Sequence, residues 1–138
     1  MRLNRRSFFA SSTAAIAGGA PASQQPGGAA AGPEMRVAAC QILTFPEPAR
    51  SAKKICAWIE QAAADKADVV LFPEASVCGY ACDKEYWKTA NPADFEAAEQ
   101  QIISTARSLN IAVVLGTAHW EDKKVYNSLL VIDKGGII

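Results

Sequence analysis

What this chain has little of narrows its function first. One histidine, His119, stands among 138 residues, and none of the four cysteines, Cys40, Cys56, Cys78 and Cys82, forms a CxxC pair. A structural zinc centre wants four such ligands in short, regular spacings. Cys78 and Cys82 are four apart and could share a helical face, but no further ligands accompany them, so no metal site is predicted. The cysteines read as structural thiols, with a disulfide open to them only in an oxidising compartment. Excess charge is absent as well, with 14 basic against 14 acidic residues. No general polyanion-binding surface follows from such a balance. With no basic cluster or RNA-binding signature either, nucleic acid is excluded as a partner.

The charge is nevertheless unevenly placed. Arg2, Arg5 and Arg6 precede the first acid, Glu34, and setting those three aside leaves 11 basic against 14 acidic residues, a formal −3. Residues 1–22 run basic, then mildly apolar, then small, which is the order of an export signal and not of a fold element. The apolar part, Phe8 to Ala20, is broken by Ser11, Ser12, Thr13 and two glycines. It is too short and too polar to span a bilayer, which takes about 20 mainly apolar residues. Asn4-Arg5-Arg6-Ser7-Phe8-Phe9 resembles the twin-arginine export motif, and Ala20-Pro21-Ala22 offers small residues for cleavage. Arg5 and Arg6 are therefore the expected signal residues, the twin-arginine machinery the expected partner, and the periplasm or extracytoplasmic space the expected location. Residues 23–34, rich in Gln, Pro, Gly and Ala, form a linker with nothing to bury.

A globular domain is expected over residues 35–138. Half of the chain is hydrophobic, enough for one domain with a true core. Arg36–Ile42 reads as a first strand. Pro48 suits the first turn of a helix, in which Ala52, Ile55, Ile59 and Ala62 recur at three- and four-residue steps as far as Asp65. Ala67–Phe72 is a second strand, expected to be buried on both faces. The spacing predicts a parallel pair joined by a crossover helix. Asn91, Pro92 and Asp94 open another helix, with Phe95, Ala98, Ile102, Ala106 and Leu109 as its apolar stripe. Ile111–Leu115 is a third strand, with Gly116 ending it. Thr117–Trp120, a turn at Glu121–Lys124 and Val125–Ile132 read as an antiparallel hairpin. Asp133–Gly136 is a further turn, and Ile137-Ile138 begins another strand, so the sequence reads as stopping within a domain.

Asp68–Tyr80 is the stretch around which this pattern is arranged. Pro73 ends the strand ladder for want of an N–H, and Glu74 follows at once. Open α/β layers hold their chemistry at the carboxyl ends of strands. Taken alone, Glu74 reads as such a site acid or, more commonly for a loop carboxylate, as a solvated loop acid or a cap for the next helix. Tyr80, Tyr86 and Trp87, in the loop beyond it, are expected either to wall a pocket or to pack as a lid.

Several of these pieces together resemble the N-terminal part of the nitrilase superfamily, the carbon–nitrogen hydrolases. They are Arg36–Gln41, Ala67–Glu74 with its Phe-Pro-Glu, Gly79-Tyr80, Ile111–Gly116, Val125–Ser128 with its Tyr-Asn, and the Ile132–Gly136 turn. The resemblance implies an α/β fold, the first part of a four-layer α-β-β-α sandwich, and members that pair into homo-oligomers. It implies hydrolysis, without a cofactor, of a non-peptide amide, N-carbamoyl or nitrile group in a small molecule. The site would use a Glu, a Lys and a Cys, because an attacking thiol needs a proton acceptor and the resulting oxyanion needs a positive group. Glu74 matches the general base, a role that suits a carboxylate walled off from water. The lysine and the nucleophile of that pattern fall later than Ile138. Lys134 precedes the turn glycines and Cys78 precedes the lysine, so neither stands in the right place. His119 and Asn127 read as structural, the latter satisfying nearby backbone. As given, the chain is expected to be inactive. The alternatives are a non-catalytic nitrilase-like binding or assembly module, an inactive fragment, and an extracytoplasmic domain stapled by disulfides.

Overall fold

A computed structural model describes residues 34–80, 83–133 and 136–138. The expected signal residues Arg5 and Arg6, and also Cys82 and Lys134, lie outside the described residues. The elements run β1 (Val37–Ala39), α1 (Pro48–Ala64), β2 (Val69–Leu71), α2 (Lys84–Thr89), α3 (Pro92–Ser108), β3 (Ala112–Glu121), β4 (Lys124–Asp133) and β5 (Gly136–Ile137). They form a mixed α/β structure with one five-stranded sheet in the order β1-β2-β3-β4-β5. The first three strands pair in parallel and the last three antiparallel.

α1 forms where its apolar spacing predicts, with Pro48 at its start and Ala52, Ile55, Ile59 and Ala62 all buried. α3 is capped by the Asn91 side chain, which accepts a hydrogen bond from Ala93 N. Both crossover helices close in the same way. Lys66 and Asn110 take left-handed backbone angles, with φ of 62° and 52°. Lys66 N then bonds to Ala63 O and Ala67 N to Ala62 O; Asn110 N bonds to Arg107 O and Ile111 N to Ala106 O. Such a double closure satisfies carbonyls that the helix end would leave free. In each case it delivers the chain directly into a parallel strand, β2 or β3. Helix and sheet residues share one core: Ile55, Ile59, Ile102, Val70, Val113, Leu115 and Ile132 are fully buried.

The structure departs from the sequence reading at several points, beginning with β1, which covers only Val37–Ala39 of the expected Arg36–Ile42. β3 does not end at Gly116 but continues to Glu121, paired with β4 throughout from Val113 to Glu121. The segment between Glu74 and Asn91, expected as a loop, contains the short helix α2, capped by the Asp83 side chain accepting from Glu85 N. β2 is buried on one face, not two: Val70 is 0% exposed and its neighbour Leu71 38%. Successive strand residues point to opposite faces, and the side shared with the helix stripes is the covered one.

Candidate active site

Glu74 sits on an elbow pinned to β3 from both sides. Phe72 N donates to Val114 O at 2.8 Å, continuing the ladder one residue past β2. Pro73 stops it, and the chain turns. Gly116 N then donates to Pro73 O at 3.2 Å, and Val77 N donates to Gly116 O at 3.3 Å. The turn closes on itself through Gly79 N to Ala75 O at 2.7 Å and through the Ser76 hydroxyl, which donates to Pro73 O. Ala75, directly after Glu74, has φ 53°, a left-handed value that costs a residue with a Cβ about 1 kcal/mol or more. The packing around the turn holds that conformation.

Gly116 is what allows the approach. A Cβ at this position would stand 2.5 Å from Ala75 N and 2.6 Å from Glu74 Cα. The glycine therefore marks a strand that another backbone approaches closely, not a strand that stops.

The Glu74 carboxylate accepts a hydrogen bond from the Asn127 side-chain amide, Nδ2 to Oε1, at 2.5 Å. Asn127 stands on β4 opposite Ala118. Its amide thus serves the carboxylate and not nearby backbone, a correction to the structural role expected of it. The partner lies 53 residues away, so no local signal in the sequence announces it. The Tyr-Asn pair of the family pattern was the available hint.

Around this pair lies a cavity of about 300 Å³, walled by Cys78, Gly79, Tyr80, Trp87, Thr117, Ala118, Val125 and Tyr126. Tyr80 and Trp87 wall the pocket as one of the two sequence readings has it. Tyr86 does not; its hydroxyl donates to Pro46 O at 2.7 Å and ties α2 to the loop before α1. Trp87 is held by an aromatic cluster, 6.4 Å from Phe95 and 6.1 Å from Trp120, whose rings meet edge to face at 4.7 Å. Glu74 is exposed in this setting, more open to water than the expected walled-off base.

Cys78 lines the same cavity and is 3% exposed. Burial pushes its thiol pKa up, its backbone hydrogen bond opposes this, and the charge of Glu74 adds to the rise. It is held as a neutral thiol, as pocket wall and core, and not as a poised nucleophile. Cys40 and Cys56 are also free thiols raised mainly by burial. His119 is exposed on β3 opposite Tyr126 and does not line the Glu74 cavity.

A second carboxylate went unnoticed in the sequence. Glu99, on α3, accepts a hydrogen bond from the Thr117 hydroxyl at 2.6 Å. Burial raises its pKa, while the Thr117 bond and His119 lower it and Glu96 raises it. Its one sequence signal is its place on the flank of the buried stripe, between Ala98 and Ile102.

The chain is similar to known proteins over its described domain. The model of the carbon-nitrogen hydrolase family matches residues 36–138. An arylacetonitrilase of Macrophomina phaseolina is 37% identical over an alignment of 99 residues, covering 61% of this chain and 28% of that protein. An amidase from Nesterenkonia sp. superposes with a TM-score of 0.68 at 21% identity, over 75% of this chain and 40% of that one. A glutamine-dependent NAD(+) synthetase from Cytophaga hutchinsonii gives a TM-score of 0.62 at 24% identity, over 75% of this chain and 18% of its own. The two structural likenesses establish a shared fold, and the chain spans well under half the length of each of these proteins. With a family model matched from the first strand onward and the same fold in solved relatives, the chain belongs to the carbon-nitrogen hydrolase family.

Proposed function

We propose that residues 35–138 supply the general-base side of a hydrolase acting on non-peptide C–N bonds, with Glu74 as the base. In this reading a cysteine thiol attacks the carbon of a small amide, N-carbamoyl compound or nitrile. The S–C bond forms as Glu74 takes the thiol proton, and a lysine steadies the negative charge that develops. With an amide, the proton passes to the departing nitrogen as the C–N bond breaks. Water then attacks the thioester carbon, Glu74 takes its proton and passes it to sulfur as the C–S bond breaks, and the carboxylic acid departs. In this reading the lysine and the cysteine come from outside residues 35–138, so those residues alone are expected to be inactive. Homo-oligomers of the whole enzyme, dimers or larger assemblies, fit the same family reading.

The observation that carries this is the Glu74 carboxylate at a strand end, aimed along a cavity wall and held by Asn127. Support for the thiol comes from a mutant of the Nesterenkonia amidase, in which acrylamide has undergone Michael addition at the active-site cysteine. The test uses the product of the complete reading frame, assayed on small amides, N-carbamoyl amines and nitriles. Glu74→Gln is expected to lower kcat/KM by about 10²–10⁴-fold. Wild-type turnover by that variant would overturn Glu74 as base. No turnover of any substrate by the wild-type protein would favour a binding or assembly module instead. Turnover by residues 35–138 alone would overturn the division of the site.

Export is a separate proposal, supported by the Arg5-Arg6-Ser7-Phe8-Phe9 order. Replacing Arg5 and Arg6 by Lys is expected to keep the protein inside the cell, as read by fractionation, and unchanged export would count against a twin-arginine route.

A further inference from the structure

Thr117 belongs to two cavities at once. It is 4% exposed and lines both the Glu74 cavity and a second one of about 270 Å³ that contains Glu99, His119 and Ser128. Its hydroxyl is committed to the Glu99 carboxylate at 2.6 Å. In the β3–β4 register Thr117 pairs with Ser128, and the next pair is Ala118 with Asn127. One strand position therefore separates the residue that Glu99 grips from the residue whose amide holds Glu74.

We propose that Glu99 and Thr117 are positioning residues, whose hydrogen bond fixes the seat of Asn127 on β4 and through it the direction of the Glu74 carboxylate. This rests on the reading of Glu74 as the general base. A valine at 117 would fill the same space on a β-strand, and an apolar residue at 99 would continue the helix stripe at lower desolvation cost. A carboxylate with a hydroxyl donor is the more demanding arrangement, and what it adds is direction: a charge-assisted bond at a fixed angle between helix and strand. The charged neighbours of Glu99 are Glu96 on its own helix and His119 on β3. The β4 residues lining its cavity, Ser128, Leu129 and Leu130, bring none.

The experiment uses the complete gene product and compares Thr117→Val, Thr117→Ser, Glu99→Ala and Glu99→Gln. Thr117→Val and Glu99→Ala are expected to lower kcat by about 10- to 100-fold with KM little changed, as a small misalignment of a catalytic group does. Thr117→Ser keeps the donor and Glu99→Gln keeps the acceptor, so both should stay within about threefold of wild type. A folded Thr117→Val protein with wild-type kcat overturns the proposal, as does an equal loss in Thr117→Val and Thr117→Ser. If the wild-type protein turns over nothing, the functional reading fails and the positioning is read directly. The Asn127 side-chain amide resonances, identified by their loss in Asn127→Asp, should move in Thr117→Val and hold in Thr117→Ser. Resonances that stay put in folded Thr117→Val overturn it.

Discussion

Gly116 and Glu74 touch backbone to backbone: a methyl group on the glycine would lie 2.6 Å from the Glu74 Cα and 2.8 Å from its carbonyl carbon. Gly116→Ala must therefore displace either β3 or the elbow. A loss of about 1–3 kcal/mol is expected, typical of forcing a methyl into filled space. Hydrolysis in the complete protein should fall by more than the unfolded fraction accounts for, because the displaced atoms carry the carboxylate proposed as the base. Denaturant unfolding and kcat/KM, measured on the same sample, check both parts.

Asn127 is exposed, so its removal should leave stability within about 1 kcal/mol of wild type. Activity is another matter. Asn127→Ala frees the Glu74 carboxylate to rotate and is expected to lower kcat/KM by about tenfold or more, comparable to losing one bond to a charged group. Asn127→Asp sets a like charge against Glu74 and should be worse than alanine. Kinetics of the two variants beside their melting curves will separate orientation from folding.

Glu99 gives a pH dependence of stability whose sign is fixed by burial. Its carboxyl is harder to ionise in the folded chain than in the unfolded one. Below the unfolded value both forms are neutral and nothing is lost. As pH rises through the window up to the raised folded value, the unfolded chain sheds its proton first, so the folded state loses ground. Glu99→Gln retains an oxygen to accept from Thr117 and removes the charge. It should therefore melt higher than wild type at neutral pH, with the gap closing on acidification. Melting midpoints from pH 3 to 8 test this, and a gap that widens in acid would contradict it.

Cys78 is held as a thiol by burial and by the nearby Glu74 charge. Alkylation of Cys78 at pH 7.5 should be slow in the folded protein and fast on unfolding. Cys78→Ser in the complete protein should keep hydrolysis within about tenfold of wild type, where loss of a nucleophile costs orders of magnitude more. Mass spectrometry after timed labelling reads the first outcome, and steady-state kinetics the second.

Long periodic elements were legible in the sequence because one principle governs each of them. The stripes of α1 and α3, the Asn91 cap and the parallel crossover follow from spacing and local chemistry alone. α2 was not legible: a six-residue helix shows less than two turns of pattern, and Tyr86 and Trp87 within it suggested a pocket wall. Gly116 misled for a different reason. A glycine after an apolar strand has the same local signature whether the strand stops or another backbone approaches, and only the elbow at Glu74 decides which. Leu109 fits the stripe of α3 yet is 38% exposed, since it stands at the cap where the helix ends. Of the candidate site, Glu74 could be named from position and family resemblance. Asn127, Thr117 and Glu99 act through partners 18 to 53 residues away, beyond the reach of local pattern.

Among the described residues, every strand of the sheet pairs with its neighbours in chain order. During synthesis each strand therefore finds its template already made, and the sheet can lengthen in the order in which it is translated. The elbow is an exception to this orderly growth. Glu74 leaves the ribosome well before the glycine that seats it, and 53 residues before the amide that aims it. At about 5–20 residues per second the carboxylate waits roughly 3–10 s for its last partner. The Glu74 carboxylate is thus among the first groups made in its neighbourhood and among the last to be set.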